Sequence, residues 1–307
     1  MTRMKNTRIN LLLLLIFLAW QVEAQDTLRT GFEVITDISD AHSLAVDSEE
    51  LIYVVTASEL IQLDVQGTIR ARLDGTSTGA FGELSDIDPG NGLIWVIADE
   101  EKGSLFRFSK ELLHLETIRV PRDIHVELER SPRLDSQDGF SVALGQPIAV
   151  AIGASGDLFA IEASSQSVLK WDASRRLERV IGDFGTGAGQ LIEPVSIATD
   201  ATSLYVADRA LGAIKIYDYF GGYKRDIKTG QDLNNIAVVG EELWVIFPES
   251  IRIYSTRGSL SSQIMIKLDA PLIAAVAVSD HMILLTSEQL LRISTQDTFV
   301  NLNDSKE

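Results

Sequence analysis

Residues 193–218 read EPVSIATDATSLYVADRALGAIKIYD, and this stretch decides the fold. It holds three short apolar segments separated by polar residues. The first, 195–198, is rich in small and β-branched side chains, the second, 204–207, carries a tyrosine, and the third, 214–218, alternates apolar with polar side chains. Alternation with a period of two is typical of a half-buried β-strand. The stretch therefore predicts consecutive antiparallel strands.

The same succession of segments recurs along the chain. The second segment, with a large residue at its centre, occurs six times, and the centres are Tyr53, Trp95, Phe159, Tyr205, Trp244 and Ile283. The steps between them are 42, 64, 46, 39 and 39 residues, and a more polar fourth segment follows most copies. Four strands repeated about every 40 residues are typical of a propeller blade rather than of a helical solenoid. The sequence predicts an all-β fold, a six-bladed β-propeller of four-stranded antiparallel blades.

The last repeat lacks an outer strand of its own. Its other three strands are expected near residues 273–278, 282–286 and 290–294. The fourth could come from residues 32–35 or from residues 298–300. We favour the N-terminal segment, because residues 32–46 repeat the outer-to-inner passage of the other blades. An N-terminal strand closing the last blade would lock both ends of the ring together and leave few open sheet edges.

The first 24 residues predict a secretory signal peptide. Arg3, Lys5 and Arg8 precede an apolar run at residues 11–20, and Val22 and Ala24 occupy the −3 and −1 positions of a cleavage site. An uncleaved N-terminal anchor is the alternative. No later segment approaches about 18 uninterrupted apolar residues, so we expect no membrane span in the mature chain and a secreted or periplasmic protein.

The repeats and the signal divide the chain into three parts. We expect a signal peptide at 1–24, the propeller at 25–303 and a disordered tail at 304–307. An insertion at about 121–144 accounts for the 64-residue step between the second and third blades. This insertion is expected to form a hairpin or lid on the loop face, or else a peripheral flap.

The composition narrows the range of functions. The 307 residues include no cysteine, and 44 acidic against 27 basic side chains give a formal net charge of −17. The lack of cysteine excludes disulfides, a thiolate metal site and a cysteine nucleophile. The acidity argues against a nucleic-acid partner, since phosphate backbones are bound by an excess of Lys and Arg.

Residues 181–218 resemble an NHL repeat. The resemblance rests on the Gly-rich loop at 182–189, the following Gln190 and Pro194, the tetrapeptide at 205–208 and the strand ending in Asp218. It implies a six-bladed NHL-like propeller, and residues 145–150 match the pattern in part. The family often has an Asn after the Asp and an Arg opening the third strand, and this chain has neither. RNA-binding members of the family use a basic face, so RNA binding is not implied here.

A set of carboxylates is predicted on one face of the propeller. The loops between second and third strands share that face, and each of the six carries an acidic residue, namely Glu59, Asp99 (with Glu100 and Glu101), Glu162, Asp208, Glu249 and Glu288. These residues form either a solvated acidic rim or a surface that attracts a cationic ligand or basic partner.

The loops that enter the inner strands would bring a second set of residues to the mouth of the central channel. This set is His42, Asp86, Gln146, Glu193, Asn234 and Asn235. Asn, Asp and Glu oxygens converging on a propeller axis could hold Ca²⁺. In residue types alone, the set is similar to that of the gluconolactonase/regucalcin-like six-bladed hydrolases.

Three functional hypotheses follow. The favoured one is an exported, non-enzymatic recognition module that binds a protein, peptide or glycan, a basic partner among them, on the acidic face and needs no cofactor. The alternative is a divalent-metal-dependent hydrolase or lyase of gluconolactonase-like type. The third is a scaffolding component of a cell-envelope assembly. A fold alone does not choose among them.

Overall fold

The protein is built from short β-strands. The computed structural model describes residues 25–28, 31–75, 81–90, 94–98, 102–122, 144–230 and 232–294. Strands β1 (Gln25–Leu28) and β2 (Glu33–Asp37) come first. The first two repeats supply β3 (Ala41–Val46), β4 (Ile52–Thr56), β5 (Glu59–Leu63), β6 (Ile69–Asp74), β7 (Leu84–Asp88), β8 (Ile94–Ala98), β9 (Ser104–Phe108) and β10 (His114–Arg119).

The next four repeats have the same layout. The third and fourth supply β11 (Pro147–Ile152), β12 (Leu158–Glu162), β13 (Ser167–Trp171), β14 (Leu177–Ile181), β15 (Pro194–Thr199), β16 (Ser203–Asp208), β17 (Ala213–Asp218) and β18 (Tyr223–Lys228). The last two supply β19 (Asn235–Val239), β20 (Glu242–Phe247), β21 (Ser250–Ser255), β22 (Leu260–Ile266), β23 (Leu272–Val278), β24 (His281–Thr286) and β25 (Gln289–Ser294).

These strands form a β-propeller with four-stranded antiparallel blades. The inner strand of each sheet contacts the inner strand of the next, in the order β3, β7, β11, β15, β19, β23 and back to β3. The sheets therefore surround a central channel, as the repeat pattern predicts.

The prediction of six uniform four-stranded blades was wrong in one respect. Five sheets have four strands, but the sheet of β19–β22 has a fifth, because β1 pairs in parallel with the outer strand β22. The outer edge of a blade presents unpaired backbone N–H and C=O groups, and an extended segment can pair with them. Gln25 faces Gln263 and Leu28 faces Ile266 in this pairing.

The ring closes through the N-terminal strand. Strand β2 pairs antiparallel with β25, so the last sheet has the order β2-β25-β24-β23. An ion pair of 2.7 Å between Glu33 and Arg292 supports this pairing. The prediction that residues 32–35 supply the closing strand is confirmed, and the alternative segment 298–300 lies outside the described residues.

The hydrophobic core lies between neighbouring blades. The large central residues Tyr53, Phe159, Tyr205 and Ile283 are all buried, as is Trp244. Each packs against the adjacent sheet; Tyr205 and Ile214, for instance, share a cluster with Leu243 and Val245 of the next blade. Inter-blade packing therefore holds the ring together without disulfides.

The third strands are buried more completely than their alternating sequence predicts. Lys215 is 2 % exposed, and its Nζ lies 3.2 Å from Asp226 and 3.3 Å from the carbonyl oxygen of Gly187. Lys170 is similarly buried and pairs with Glu178 at 2.8 Å. These two polar positions thus carry ion pairs within their own blades rather than facing solvent.

Three predicted segments lie wholly or largely outside the described residues. The signal peptide 1–24 and the tail 304–307 are among them. Of the insertion, the ends are described, and Pro121 forms an antiparallel bridge with Leu144. Within the described parts of the chain, no helix combines the length and apolarity needed to cross a bilayer.

Candidate functional site

A β-bulge at the start of the inner strands shapes one end of the channel. In five of the six inner strands, the pairing with the second strand slips near the first residue, and the displaced residues are His42, Ser85 with Asp86, Ile148, Val195 and Ile273. A bulge bends its strand and redirects side chains, and bulges are frequent beside active sites. Here the bulges of five blades turn these side chains toward one end of the channel, with two side chains from the second blade.

All of these displaced residues line one cavity of about 270 Å³. Ser196, Arg209, Asn234 and Asn235 complete its lining. A second cavity of about 320 Å³ follows the inner strands away from this end, and Asp86 and Asn235 contribute to both. The first cavity therefore lies at one end of the channel and is the channel mouth.

His42 presents a free imidazole nitrogen at the channel mouth. Its Nδ1 lies 2.7 Å from the carbonyl oxygen of Leu84, in the inner strand of the next blade. Because a carbonyl oxygen only accepts hydrogen bonds, Nδ1 carries the proton and the neutral ring leaves Nε2 as an acceptor. Nε2 has no partner among the described residues.

Asp86 lies deeper in the channel and joins two further blades. Its Oδ1 accepts a hydrogen bond of 2.6 Å from Ser43 and its Oδ2 one of 2.9 Å from the Val150 N–H. Burial raises the pKa of Asp86 to about 6, although these hydrogen bonds act in the opposite direction. Asp88 binds the Ile152 N–H in the same way at 2.9 Å, and burial raises its pKa too.

Asn235 and Ser196 form a second inter-blade contact at the channel mouth. The Ser196 hydroxyl donates to Asn235 Oδ1 at 2.5 Å, and the Ile236 N–H donates to the same oxygen at 2.7 Å. The neighbouring Asn234 donates from Nδ2 to the carbonyl oxygen of Leu272 at 2.8 Å. Among the described residues, no partner is found for Nδ2 of Asn235, a donor, or for Oδ1 of Asn234, an acceptor.

Arg209 brings a positive charge to this site. Its Nε donates to the carbonyl oxygen of Leu233 at 3.2 Å, and its Nη1 lies 3.2 Å from a carboxylate oxygen of Glu193. Arg209 is the only Lys or Arg among the described residues of the channel mouth. Together with His42 and Asp86 it gives one cation, one proton acceptor and one carboxyl group whose pKa burial raises to about 6.

The predicted channel-mouth set is brought together in part. His42, Asp86, Asn234 and Asn235 line the cavity, whereas Gln146 and Glu193 do not. The Gln146 N–H is bound by the Glu162 carboxylate at 2.8 Å, and Glu193 reaches the site only through Arg209. Sequence reasoning missed Ser85, Ser196 and Arg209, although the first two lie within the predicted inner strands and the third follows Asp208.

The predicted acidic face is not a uniform surface. Glu162 and Asp208 are fully buried, and each carboxylate accepts hydrogen bonds from three backbone N–H groups. Thr56 and Thr286 use their hydroxyl oxygens in the same way at the same place in other blades. In these four blades the residue at this position thus serves as a hydrogen-bond acceptor rather than as a surface charge.

The other carboxylates of that set have different surroundings. Glu59 pairs with Arg72 at 3.4 Å, and Glu249 and Glu288 are exposed. Asp99, with Glu100 and Glu101, lies outside the described residues. The role of this set in binding a partner stays a prediction.

A divalent cation fits the channel mouth poorly. Both oxygens of Asp86 and the side-chain oxygen of Asn235 already accept hydrogen bonds, and the Arg209 guanidinium lines the same cavity. Ca²⁺ needs six to eight oxygen ligands, preferably with carboxylates among them. Among the described residues, no group of three or more His, Asp or Glu side chains could hold a metal ion. The residues that line the channel mouth therefore do not fit a divalent metal ion.

Comparison with known proteins gives the fold class alone. No family model and no curated protein matches the sequence. A catalytically inactive histidine-to-alanine variant of virginiamycin B lyase from Staphylococcus aureus, bound to quinupristin, superposes with a TM-score of 0.56, covering 86% of this chain and 99% of that one at 12% identity. A streptogramin B lyase gives 0.57 over 86% and 98% at 12% identity. A gluconolactonase from Xanthomonas campestris gives 0.63 over 86% and 89% at 11% identity.

Proposed function

We propose that this protein is an acid–base enzyme, a hydrolase or a lyase, with its active site at the channel mouth. The observation that carries the proposal is the hydrogen bond from His42 Nδ1 to the Leu84 carbonyl, which leaves Nε2 as a proton acceptor in a cavity that also contains Asp86 and Arg209. A histidine held in one tautomer by its other nitrogen is the usual arrangement for a general base.

In the proposed reaction, Nε2 of His42 takes a proton from a substrate carbon or from an attacking water molecule. The resulting imidazolium then returns this proton to the leaving group. Arg209 stabilises the negative charge that develops on a substrate oxygen, and Ile148, Val195 and Ile273 limit access of water, which strengthens that interaction. Asp86, through Ser43 and Val150, keeps the inner strands of three blades in register.

The similar structures support an enzymatic role over pure recognition. The three that we compared are a lyase, a second lyase and a gluconolactonase, and the first of them is inactive when a histidine is replaced. Their identities of 11–12% carry no residue-level correspondence, so the assignment of His42 depends on the geometry of this chain.

The test is turnover by purified protein and by a His42→Asn variant. Glucono-1,5-lactone would be followed by acid release and quinupristin by loss of the intact compound in chromatography. We expect wild-type protein to turn over at least one of these or a related lactone, and His42→Asn to lose about 10²-fold or more. Two results would refute the proposal and favour the recognition module. One is a rate in His42→Asn equal to that of wild type, and the other is no turnover of glucono-1,5-lactone, quinupristin or the related lactones tested.

Recognition of a basic partner by Glu59, Glu249 and Glu288 is the weaker alternative. The exposure of Glu249 and Glu288 and the net charge of −17 favour it, and the burial of Glu162 and Asp208 counts against it. Binding that is insensitive to salt would exclude this mode, since exposed charges are screened.

Three further proposals concern the organisation of the protein. We propose that residues 1–24 direct export and are removed after Ala24, which N-terminal sequencing of protein from the natural source would test. We also propose that the five-stranded sheet of β19–β22 is a blade of the ring and brings the number of blades to six, since β19 contacts both β15 and β23. Finally, we propose that the blade β15–β18, which contains most of residues 181–218, is an NHL-type repeat.

A further inference from the structure

We infer that the channel mouth binds a carboxylate, for example that of the acid which lactone hydrolysis releases, and that Arg209 is the residue that binds it. The inference rests on the proposed function in one respect, since it concerns the same site. It adds the chemical class of the ligand and a specificity-determining residue.

The setting of Arg209 is the first observation. Its Nε bond to the carbonyl oxygen of Leu233, a fully buried residue, anchors the guanidinium on the rigid interior of the propeller. Only one further N–H group is used, in the contact with Glu193, so the remaining N–H groups have no partner among the described residues. A guanidinium offers a planar fork of N–H groups that matches the two oxygens of a carboxylate.

Two more donors line the same cavity. The Oδ1 of Asn235 is occupied by Ser196 and Ile236, so the amide presents its Nδ2 hydrogens instead. The hydroxyl oxygen of Ser85 is buried and has no hydrogen-bond partner among the described residues. Leaving buried polar groups unpaired costs free energy, and a ligand oxygen would remove that cost.

The balance of donors and acceptors selects an anion. Arg209, Asn235 and Ser85 all offer hydrogen atoms, whereas both oxygens of Asp86, the carboxylate among the described lining residues, are already occupied. Among the described side chains that line the cavity, the remaining acceptors are Nε2 of His42, Oδ1 of Asn234 and the Ser85 hydroxyl oxygen, which can accept as well as donate. A ligand with an anionic end on the donors and an acidic C–H, O–H or N–H group near His42 satisfies both sets.

Glu193 is a built-in competitor for Arg209. The Glu193 side chain is 49% exposed and that of Arg209 is 40% exposed. One contact of 3.2 Å joins the guanidinium Nη1 to a carboxylate oxygen. Exposed ion pairs of this kind contribute little to stability. A ligand carboxylate can therefore replace Glu193 at the guanidinium, and Glu193→Gln should strengthen or leave unchanged the binding of an anion.

The experiment compares acids with their neutral amides. Gluconate and gluconamide, and phenylacetate and phenylacetamide, would be titrated by calorimetry into wild-type protein and the Arg209→Gln, Arg209→Lys, Glu193→Gln and His42→Asn variants at low salt. We expect at least one acid to bind wild type tenfold more tightly than its amide. That ratio should fall close to one in Arg209→Gln, fall several-fold in Arg209→Lys, and persist in Glu193→Gln and His42→Asn.

Three results would overturn the inference. They are equal binding of acid and amide, no detectable binding of either acid up to about 50 mM, and an unchanged ratio in Arg209→Gln. If Arg209→Gln fails to fold, Arg209→Lys decides the question, because it keeps the charge but loses the fork. The inference fails separately from the proposed function, which is decided by turnover in His42→Asn.

Discussion

The Nδ1 of His42 and the carbonyl oxygen of Leu84 are 2.7 Å apart, although the two residues belong to different blades. Both lie at the bulged start of an inner strand, where the pairing of β3 with β4 and of β7 with β8 slips. The contact therefore couples the orientation of an imidazole ring to the packing of two adjacent sheets. A side chain held in this way has one tautomer and one position relative to the cavity.

Replacement of His42 by glutamine separates its two functions. Glutamine can donate one hydrogen bond to the Leu84 carbonyl, but its second polar atom is not a useful base. We expect the variant to fold with less than about 1 kcal/mol change in stability and to lose activity by a factor of about 10² to 10⁴. Turnover and urea unfolding measured on the same preparation would test this. If the loss of activity is no larger than the loss of folded protein, His42 has a structural role alone.

Asp86 should make the stability of the protein depend on pH in a defined window. Its pKa is raised from 3.8 to about 6 by burial, so ionisation is harder in the folded than in the unfolded chain. The contribution of the protonated Asp86 side chain to the free energy of unfolding is therefore complete below about pH 4. It is lost as the pH rises to about 6. Relative to Asp86→Asn, wild type should lose about 1 to 3 kcal/mol across that window and stay level above it.

The measurement for Asp86 is urea unfolding of both proteins from pH 4 to 7.5. Asp88→Asn provides a second check, because the nearby Asp88 charge also raises the pKa of Asp86. Removing that charge should move the upper limit of the window to lower pH. Parallel curves for wild type and Asp86→Asn would contradict the pKa assignment.

Periodicity along the chain predicted most of the fold. The recurrence of buried central residues such as Tyr53, Tyr205 and Ile283 sets the blades, and the closing strand follows from the order of the remaining segments. The parallel addition of β1 to β22 was not predictable. Residues 25–28 carry no alternation, and their partner is an outer strand whose free edge is a feature of the assembled sheet.

The site was less accessible to sequence reasoning. The inner-strand starts indicated His42 and Asp86, but Arg209 reaches the cavity from the loop between β16 and β17, and only the folded ring brings it there. The error over Glu162 and Asp208 has a local cause. An acid at the end of a second strand was read as a surface charge, whereas the following turn needs an acceptor for its own N–H groups.

Glu162 should therefore behave as a structural residue. Its carboxylate accepts hydrogen bonds from the N–H groups of Gln146, Ser164 and Ser165, at 2.8, 3.1 and 2.7 Å. Glu162→Ala would leave these groups without a partner and should cost about 2 to 4 kcal/mol. Glu249→Ala, at an exposed member of the same predicted face, should stay within about 0.5 kcal/mol of wild type. Similar unfolding midpoints for the two variants would contradict this distinction.

The poor fit of a divalent cation also leads to a test. We expect EDTA to leave activity unchanged and millimolar CaCl₂ to leave the unfolding temperature unchanged, because binding only the native state would raise that temperature. Elemental analysis of the purified protein provides the control for a metal that is retained through purification. The prediction is contradicted if the purified protein holds one equivalent of calcium or zinc and chelation removes both the metal and the activity. Such a metal would need as ligands the oxygen atoms that now accept hydrogen bonds.

Closure of the ring can be tested with two adjacent residues on opposite faces of β2. Ile35 packs against the cluster that contains Ile61, Leu63 and Leu290, whereas its neighbour Val34 is 49% exposed. An aspartate in place of Ile35 would put an unpaired carboxylate into the contact between the last and first blades, and should cost several kcal/mol. Val34→Asp introduces the same charge on the same strand and should cost less than about 1 kcal/mol. Calorimetric unfolding of both variants measures the difference. If both variants unfold at the wild-type temperature, β2 does not close the ring in solution, and if both lose stability equally, the strand tolerates no charge on either face.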